Sequence, residues 1–255
     1  MRNTVLAALL GLTMIAVTSA CADDAAGVTD ETTRVLVFSH TTGWRHDSIE
    51  PGIEALRVMA EENGWQFEAS EDPSIFDDGA LEHTDVLVLL SSTTGSTPDS
   101  EWLTDEGRAA LQGFVRGGGG VVAVHAAADA HYNWPWYRQM IGAAFEMHPP
   151  GTPDGDLTVV DGDHPSTRTL PERFTRTDEW YWFTDFDESR VRLLMTLDAA
   201  SIGEEGGEVP MAWSHEFEGG RVFYTALGHT RESFSEPLVL EHIRGGIAWA
   251  AGLED

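Results

Sequence analysis

Three short aliphatic runs constrain this chain more than any other feature. They are Val35-Leu36-Val37-Phe38, Val86-Leu87-Val88-Leu89-Leu90 and Val121-Val122-Ala123-Val124. None alternates apolar with polar residues, so each must be covered on both faces. A strand inside a parallel sheet flanked by helices meets that condition. Between the runs, residues 48–64 place Ile53, Leu56, Val58, Met59 and Ala60 near helical spacing and stop at Gly64, and residues 104–116 open with a Thr-Asp cap. "WQFEASED" supplies one more strand. Strand, helix, strand, strand, helix, strand is the order of an α/β, flavodoxin-like, doubly wound, mainly parallel sheet. The second half adds "DLTVVDG", "RLLMTLD" and a hairpin around Glu218-Gly219-Gly220, and a helix from Pro237 closes the chain.

The first residues obey a different logic. Arg2, an apolar stretch too short to span a bilayer comfortably, and Val-Thr-Ser-Ala before Cys21 are the layout of a secretory signal peptide over residues 1–20. Cys21 is the sole cysteine and stands where a lipid acceptor stands in a bacterial lipobox. The expectation is a lipidated Cys21, a flexible linker over 21–32 and one domain over 33–255. That makes an extracytoplasmic protein, at the cell surface or in the periplasm, touching membrane only through its anchor. Simple cleavage with Cys21 incidental is the other reading. Acidic residues outnumber basic ones 43 to 15, for a net charge of −28, and the chain has no lysine. Such a surface repels nucleic acid, so none is expected as a partner.

In open α/β sheets ligands bind beyond the carboxyl ends of the strands. Three strands stop at or near a histidine: His40, His125 and His229. Ser91, Ser92 and Thr93 follow another. Each histidine could be a turn residue; three at equivalent strand ends point to a shared rim. His125 occupies the position of a nucleophile elbow, a strand running into a turn of small residues. An imidazole there moves protons or binds a metal. Asp129 could orient it or share its proton, and Glu179 is the best second carboxylate. The catalytic candidates are therefore His125, His40, Glu179, Asp129 and His229.

Trp44, Arg45, His46, Ser92, Tyr132 and Trp180 are the substrate-binding candidates. Flat aromatic faces suit the C–H faces of sugar rings, and polar side chains suit hydroxyls. Trp136 and Trp182 are expected to cover the core instead. Asp178 reads as a turn or cap residue, His164 as structural and His215 as exposed; His83 and His242 receive no role. His40, His125 and His229, with Asp129 or Glu179, are also the right donors for zinc or another divalent ion, though no H-x-x-x-H spacing supports it. The cofactor question stays open at this level. "RGGGGVV" precedes a strand and lacks a following lysine, so it is a turn and not a phosphate loop.

"SHTTGWRHDSI", "GGGGVVAVHAAAD", "HPP", "DHPST", "DEWYWF", "MAWSHEFEGGRVFYTALGH" and "GGIAWAAG" occur in this order across the domain. Together they resemble the ThuA-like, trehalose-utilisation family, on the class I glutamine amidotransferase-like fold. The resemblance implies disaccharide metabolism, with oxidised (3-keto) glycosides as substrates, and so a small-molecule sugar partner. It does not extend to glutaminase chemistry: the elbow holds His125, and the one cysteine lies in the leader. A sugar isomerase, lyase or hydrolase working by acid/base chemistry is the expectation. A non-catalytic sugar-binding lipoprotein and a metal-dependent hydrolase are its rivals.

Overall fold

The computed structural model describes Met1 and residues 32–255. Residues 2–31, with nearly all of the leader, Cys21 and all but the last residue of the linker, lie outside the described residues. Nine strands form the main sheet, and five of them run parallel. β1 (Arg34–Phe38) pairs with β2 (Gln66–Ser70) on one side and β3 (Val86–Leu90) on the other; β4 (Gly120–Val124) follows, then β11 (Gly220–Thr225). The three aliphatic runs are buried along essentially their whole length. Their burial on both faces follows from helix cover. Phe223 of β11 faces α4 (Pro237–Ala250), where a Cβ on Gly246 would lie 2.5 Å from its ring. Its neighbour Tyr224 points the other way and stacks on Trp213, whose indole donates to the Ile141 carbonyl at 2.8 Å in α3 (Pro135–Ile141).

The hairpin at Glu218-Gly219 joins β10 (Glu208–Phe217) to β11 with Phe217 opposite Gly220. Both turn residues have positive φ, +48° and +107°, the requirement of a tight two-residue turn that matches strand twist. The antiparallel part extends further than that hairpin. β9 (Arg192–Asp198), β6 (Asp154–Val159) and β7 (Arg173–Thr177) continue the sheet past β10. A separate two-stranded sheet pairs β5 (Ala144–Met147) with β8 (Trp182–Thr184). α1 (Ile49–Asn63) and α2 (Asp105–Arg116) complete the helices; α2 is capped by the Thr104 hydroxyl.

The strand order β2-β1-β3-β4 reverses direction between β1 and β3, so a crevice opens at their carboxyl ends. The loop after β1 is bound into it: Thr42 N–H donates to the Thr93 carbonyl at 3.0 Å, and Thr93 N–H to the His40 carbonyl at 3.3 Å. A Cβ on Gly43 would lie 2.6 Å from the Thr94 carbonyl, so only glycine lets the loop pass this close. The chain then turns inward, toward the end of β4.

Candidate metal centre

His125 follows β4 directly, with φ +50°. That left-handed backbone costs on the order of 1 kcal/mol for a non-glycine residue, and it aims the ring off the sheet edge. Its Nδ1 lies 2.7 Å from the Ala226 carbonyl, which can only accept, so Nδ1 carries the proton and Nε2 is left as a lone-pair donor. Its backbone carbonyl is held by the Tyr224 hydroxyl at 2.9 Å.

Around Nε2 stand His46, His229 and Glu179. One ligand atom from each of the four residues lies within 4.8 Å of all the others. The three imidazole centroids are 4.9, 5.1 and 5.2 Å apart, and the rings are close to mutually perpendicular. His125 Nε2 to His229 Nδ1 is 3.3 Å, His229 Nδ1 to Glu179 Oε2 is 3.0 Å, and His125 Nε2 to Glu179 Oε2 is 3.5 Å. Ligands about 2.1 Å from a common ion are themselves roughly 3.0–3.4 Å apart, so the spacing fits one cation. Buried His46 Nδ1 has no hydrogen-bond partner. Three imidazoles and one carboxylate are the donor set of zinc, manganese, iron, cobalt or nickel.

The electrostatics keep His46 and Glu179 in the protonation states that metal ligands need. Burial, reinforced by the neighbouring His125 and His229, pushes His46 down to about 3, so it stays neutral with a lone pair free. Burial alone would raise Glu179; the hydrogen bond from His229 and the adjoining His125 ring outweigh it and hold the carboxyl far below its usual range. Burial opposes a charge on His229 too, but its hydrogen bond to Glu179 prevails and raises it.

Other candidates fall into three groups. Asp129 and Tyr132 border the cluster. Asp129 accepts a short hydrogen bond from the Tyr132 hydroxyl and makes none with His125, and burial raises its carboxyl to about 6. Trp44 and Arg45 lie on the outer rim. Trp44 is 72% exposed, two residues before His46, and Arg45 is bound by Glu50 and Glu71. The rest are turned away. His40 donates from Nδ1 to the Glu71 carbonyl at 2.7 Å and packs on Phe38 and Trp102, so the expected rim position of His40 is corrected to His46. Ser92 is buried and donates to the Phe38 carbonyl at 2.9 Å, a link between strands instead of a substrate contact. Trp180 is corrected from ligand surface to core: it is 1% exposed, its indole donates to the Pro153 carbonyl, and a Cβ on Gly155 would meet it at 2.7 Å.

Trp180→Ala is therefore expected to cost about 3–5 kcal/mol of stability. Trp44→Ala is expected to stay within about 0.5 kcal/mol of the parent, as a surface change does. Urea unfolding of the two variants separates them.

His148, with no role assigned from sequence, sits at the site. Its Nδ1 is 3.1 Å from Glu179 Oε1 and its side chain is 39% exposed. It follows β5, whose partner β8 begins three residues after Glu179. The signal was present in "HPP", but only the small second sheet connects it to "DEWYWF". His215 is half-buried instead of exposed. Buried His164 bonds Ser166, and buried His242 bonds the Ser166 carbonyl and the Thr225 hydroxyl.

An open α/β sheet whose carboxyl rim gathers three imidazoles and a carboxylate defines the class: a flavodoxin-like protein with a candidate mononuclear metal centre. The chain belongs to the ThuA family, described as trehalose utilisation, which it matches over residues 34–250. Membership places it in sugar utilisation. A ThuA-like protein of Bacteroides uniformis shares 22% identity and a TM-score of 0.70, covering 86% of this chain and 91% of that one. One from Parabacteroides merdae shares 18% and 0.69, covering 88% and 91%. The β-galactosidase of Bacillus circulans sp. alkalophilus matches at 13% and 0.55, covering 86% of this chain and 31% of the enzyme. At these identities the likeness concerns fold alone. No curated protein sequence matches.

Proposed function

We propose that this chain is a divalent-cation-dependent enzyme of carbohydrate utilisation that acts on the ring of an oxidised (3-keto) disaccharide or glycoside. The observation that carries the proposal is the convergence of His46, His125, Glu179 and His229 at ligand spacing, with buried His46 Nδ1 unpartnered. A divalent ion there supplies Lewis acidity to a carbonyl or hydroxyl oxygen. Asp129, mostly buried and bonded to Tyr132, takes or returns the proton of a carbon or hydroxyl beside that oxygen. Trp44 offers an exposed face to a sugar ring, and its neighbour Arg45 is already bound to two carboxylates. An uncharged sugar suits that rim better than an anionic one. Glutaminase chemistry stays excluded, because His125 fills the elbow. In this reading a lipid on Cys21 would tether the site outside the cytoplasm.

The test is elemental analysis of the untagged protein, paired with turnover of 3-keto-glycosides, in the parent and His125→Ala. One equivalent of a divalent metal in the parent, with both metal and turnover lost in the variant, is expected. Turnover by a parent without metal would reduce the site to bare imidazoles and overturn the metal requirement. Sugar binding without turnover in either protein would make the chain a binding protein.

A further inference from the structure

Asp178 lies beside Glu179 and is fully buried, yet it does not reach the cluster as a ligand. Its carboxylate accepts from three backbone N–H groups: Glu179 at 3.0 Å, Gly228 at 3.0 Å and His229 at 3.1 Å. It also pairs with Arg176, whose side chain is 4% exposed. A buried carboxylate that needed only a counter-charge would be satisfied by the guanidinium. This one also ties together two segments some fifty residues apart, and each carries one of the four donors.

Arg176 extends the tie. It donates to the Ser233 hydroxyl at 2.8 Å and to both Glu236 oxygens at 3.1 and 3.3 Å, so the loop bearing His229 is held at its start by Asp178 and at its end by Arg176. Gly228 makes the approach possible. Its φ of +120° suits glycine, and a Cβ there would press on Val124 at 3.1 Å. His229 Nδ1 and Glu179 Oε2, ligand atoms from the two tied segments, stand 3.0 Å apart.

We infer that Asp178, braced by Arg176, is a positioning residue that sets the cation affinity of the site by fixing the His229 loop against Glu179. The inference rests on the metal reading above. In Asp178→Asn the side chain keeps one acceptor oxygen and gains an NH2 that faces backbone donors, so at least one of the three bonds is lost. Removing such an outer partner of a metal ligand weakens binding by about 10–100-fold.

The experiment measures zinc affinity of the full chain by competition with a chelating indicator, alongside thermal unfolding of the metal-free proteins. The control is Asp85→Asn, which breaks the Arg34–Asp85 pair at the amino end of β1, opposite the rim. Asp178→Asn is expected to lose about 10–100-fold in zinc affinity, while Asp85→Asn loses stability and keeps the parent affinity. If Asp178→Asn, which leaves Arg176 with Glu236 as its one carboxylate partner, does not fold, Arg176→Gln/Asp178→Asn removes both buried charges together and carries the same expectation. Parental zinc affinity in whichever of these folds would overturn the positioning role alone. Equal affinity losses in Asp178→Asn and Asp85→Asn would overturn it too, by reducing it to general stability. A parent that binds no divalent ion would overturn the metal reading and this inference with it.

Discussion

Asp129→Asn is expected to lower turnover by about 10²–10⁴-fold while leaving one equivalent of metal in place. The substitution is nearly isosteric, and the amide oxygen it introduces can still accept from the Tyr132 hydroxyl, so the local fold survives. What disappears is the ability to hold a proton. Asp129 contributes no atom to the four-residue cluster, so metal content should not follow activity. That dissociation separates it from His125→Ala, in which both fall together. The pH profile gives an independent reading. Burial raises Asp129 to about 6 against the opposing pull of Tyr132 and His125, and a bound cation would draw it down from there. A base is active when ionised, so parental kcat/KM should climb with pH through a limb at or below about 6. In the asparagine variant that limb should be absent and the residual rate flat across it. Full turnover in Asp129→Asn would remove the residue from the mechanism.

How far the site could be read from sequence depends on what placed each residue. His125 and His229 lie where strands end, and strand ends are legible because unbroken runs such as Val121–Val124 can only be doubly covered strands. The choice between His40 and His46 was not legible. Both flank the same loop, and the hydrogen bonds of Thr42 and Thr93 and the passage of Gly43 beside Thr94 decide which turns inward. These are contacts between residues fifty apart. Trp180 and Trp182 carry no mark of their direction, since an aromatic cluster after a strand serves a core as well as a ligand. The same limit applies to the outer sheet. β6 and β9 were legible in "DLTVVDG" and "RLLMTLD", but edge strand β7, Arg-Phe-Thr-Arg-Thr, is largely polar and exposed and gives a weaker signal than the central strands. His148 was missed because its link to Glu179 runs through the β5–β8 pair, which no local pattern announces.

Acid should unfold this protein steeply, and for a reason apart from the site. His131, His164 and His242 are each fully buried. His131 and His164 are pushed down to about 3 and His242 to about 4, in every case chiefly by burial. Unfolded histidine titrates near 6.5. The folded values lie below the unfolded one, so the contribution of each is intact above about pH 6.5 and lost as pH falls toward 3–4. Between those limits the unfolded chain binds up to three more protons, worth about 4 kcal/mol per pH unit once all three are engaged. By pH 4.5 the loss reaches about 8 kcal/mol, comparable to the whole stability of an ordinary domain. Repulsion among the 43 acidic residues is relieved by protonation and works the other way, mostly near and below pH 4.5, whereas carboxylates held low by arginine, such as Asp85 and Asp161, lose stability with acid as the histidines do. Urea midpoints measured from pH 7.5 to 4.5 should therefore fall monotonically. His131→Phe isolates the contribution of one of these rings. Neither ring nitrogen of His131 has a hydrogen-bond partner, and the ring packs among Trp102, Trp134 and Tyr137, so phenylalanine fits the same aromatic pocket without the proton linkage. The variant should match or exceed the parent at pH 7.5 and lose stability less steeply below pH 6, by up to about 1.4 kcal/mol per pH unit. An unchanged slope in His131→Phe would mean that this ring charges in the folded state, with Glu101, 3.7 Å away, as its counter-ion.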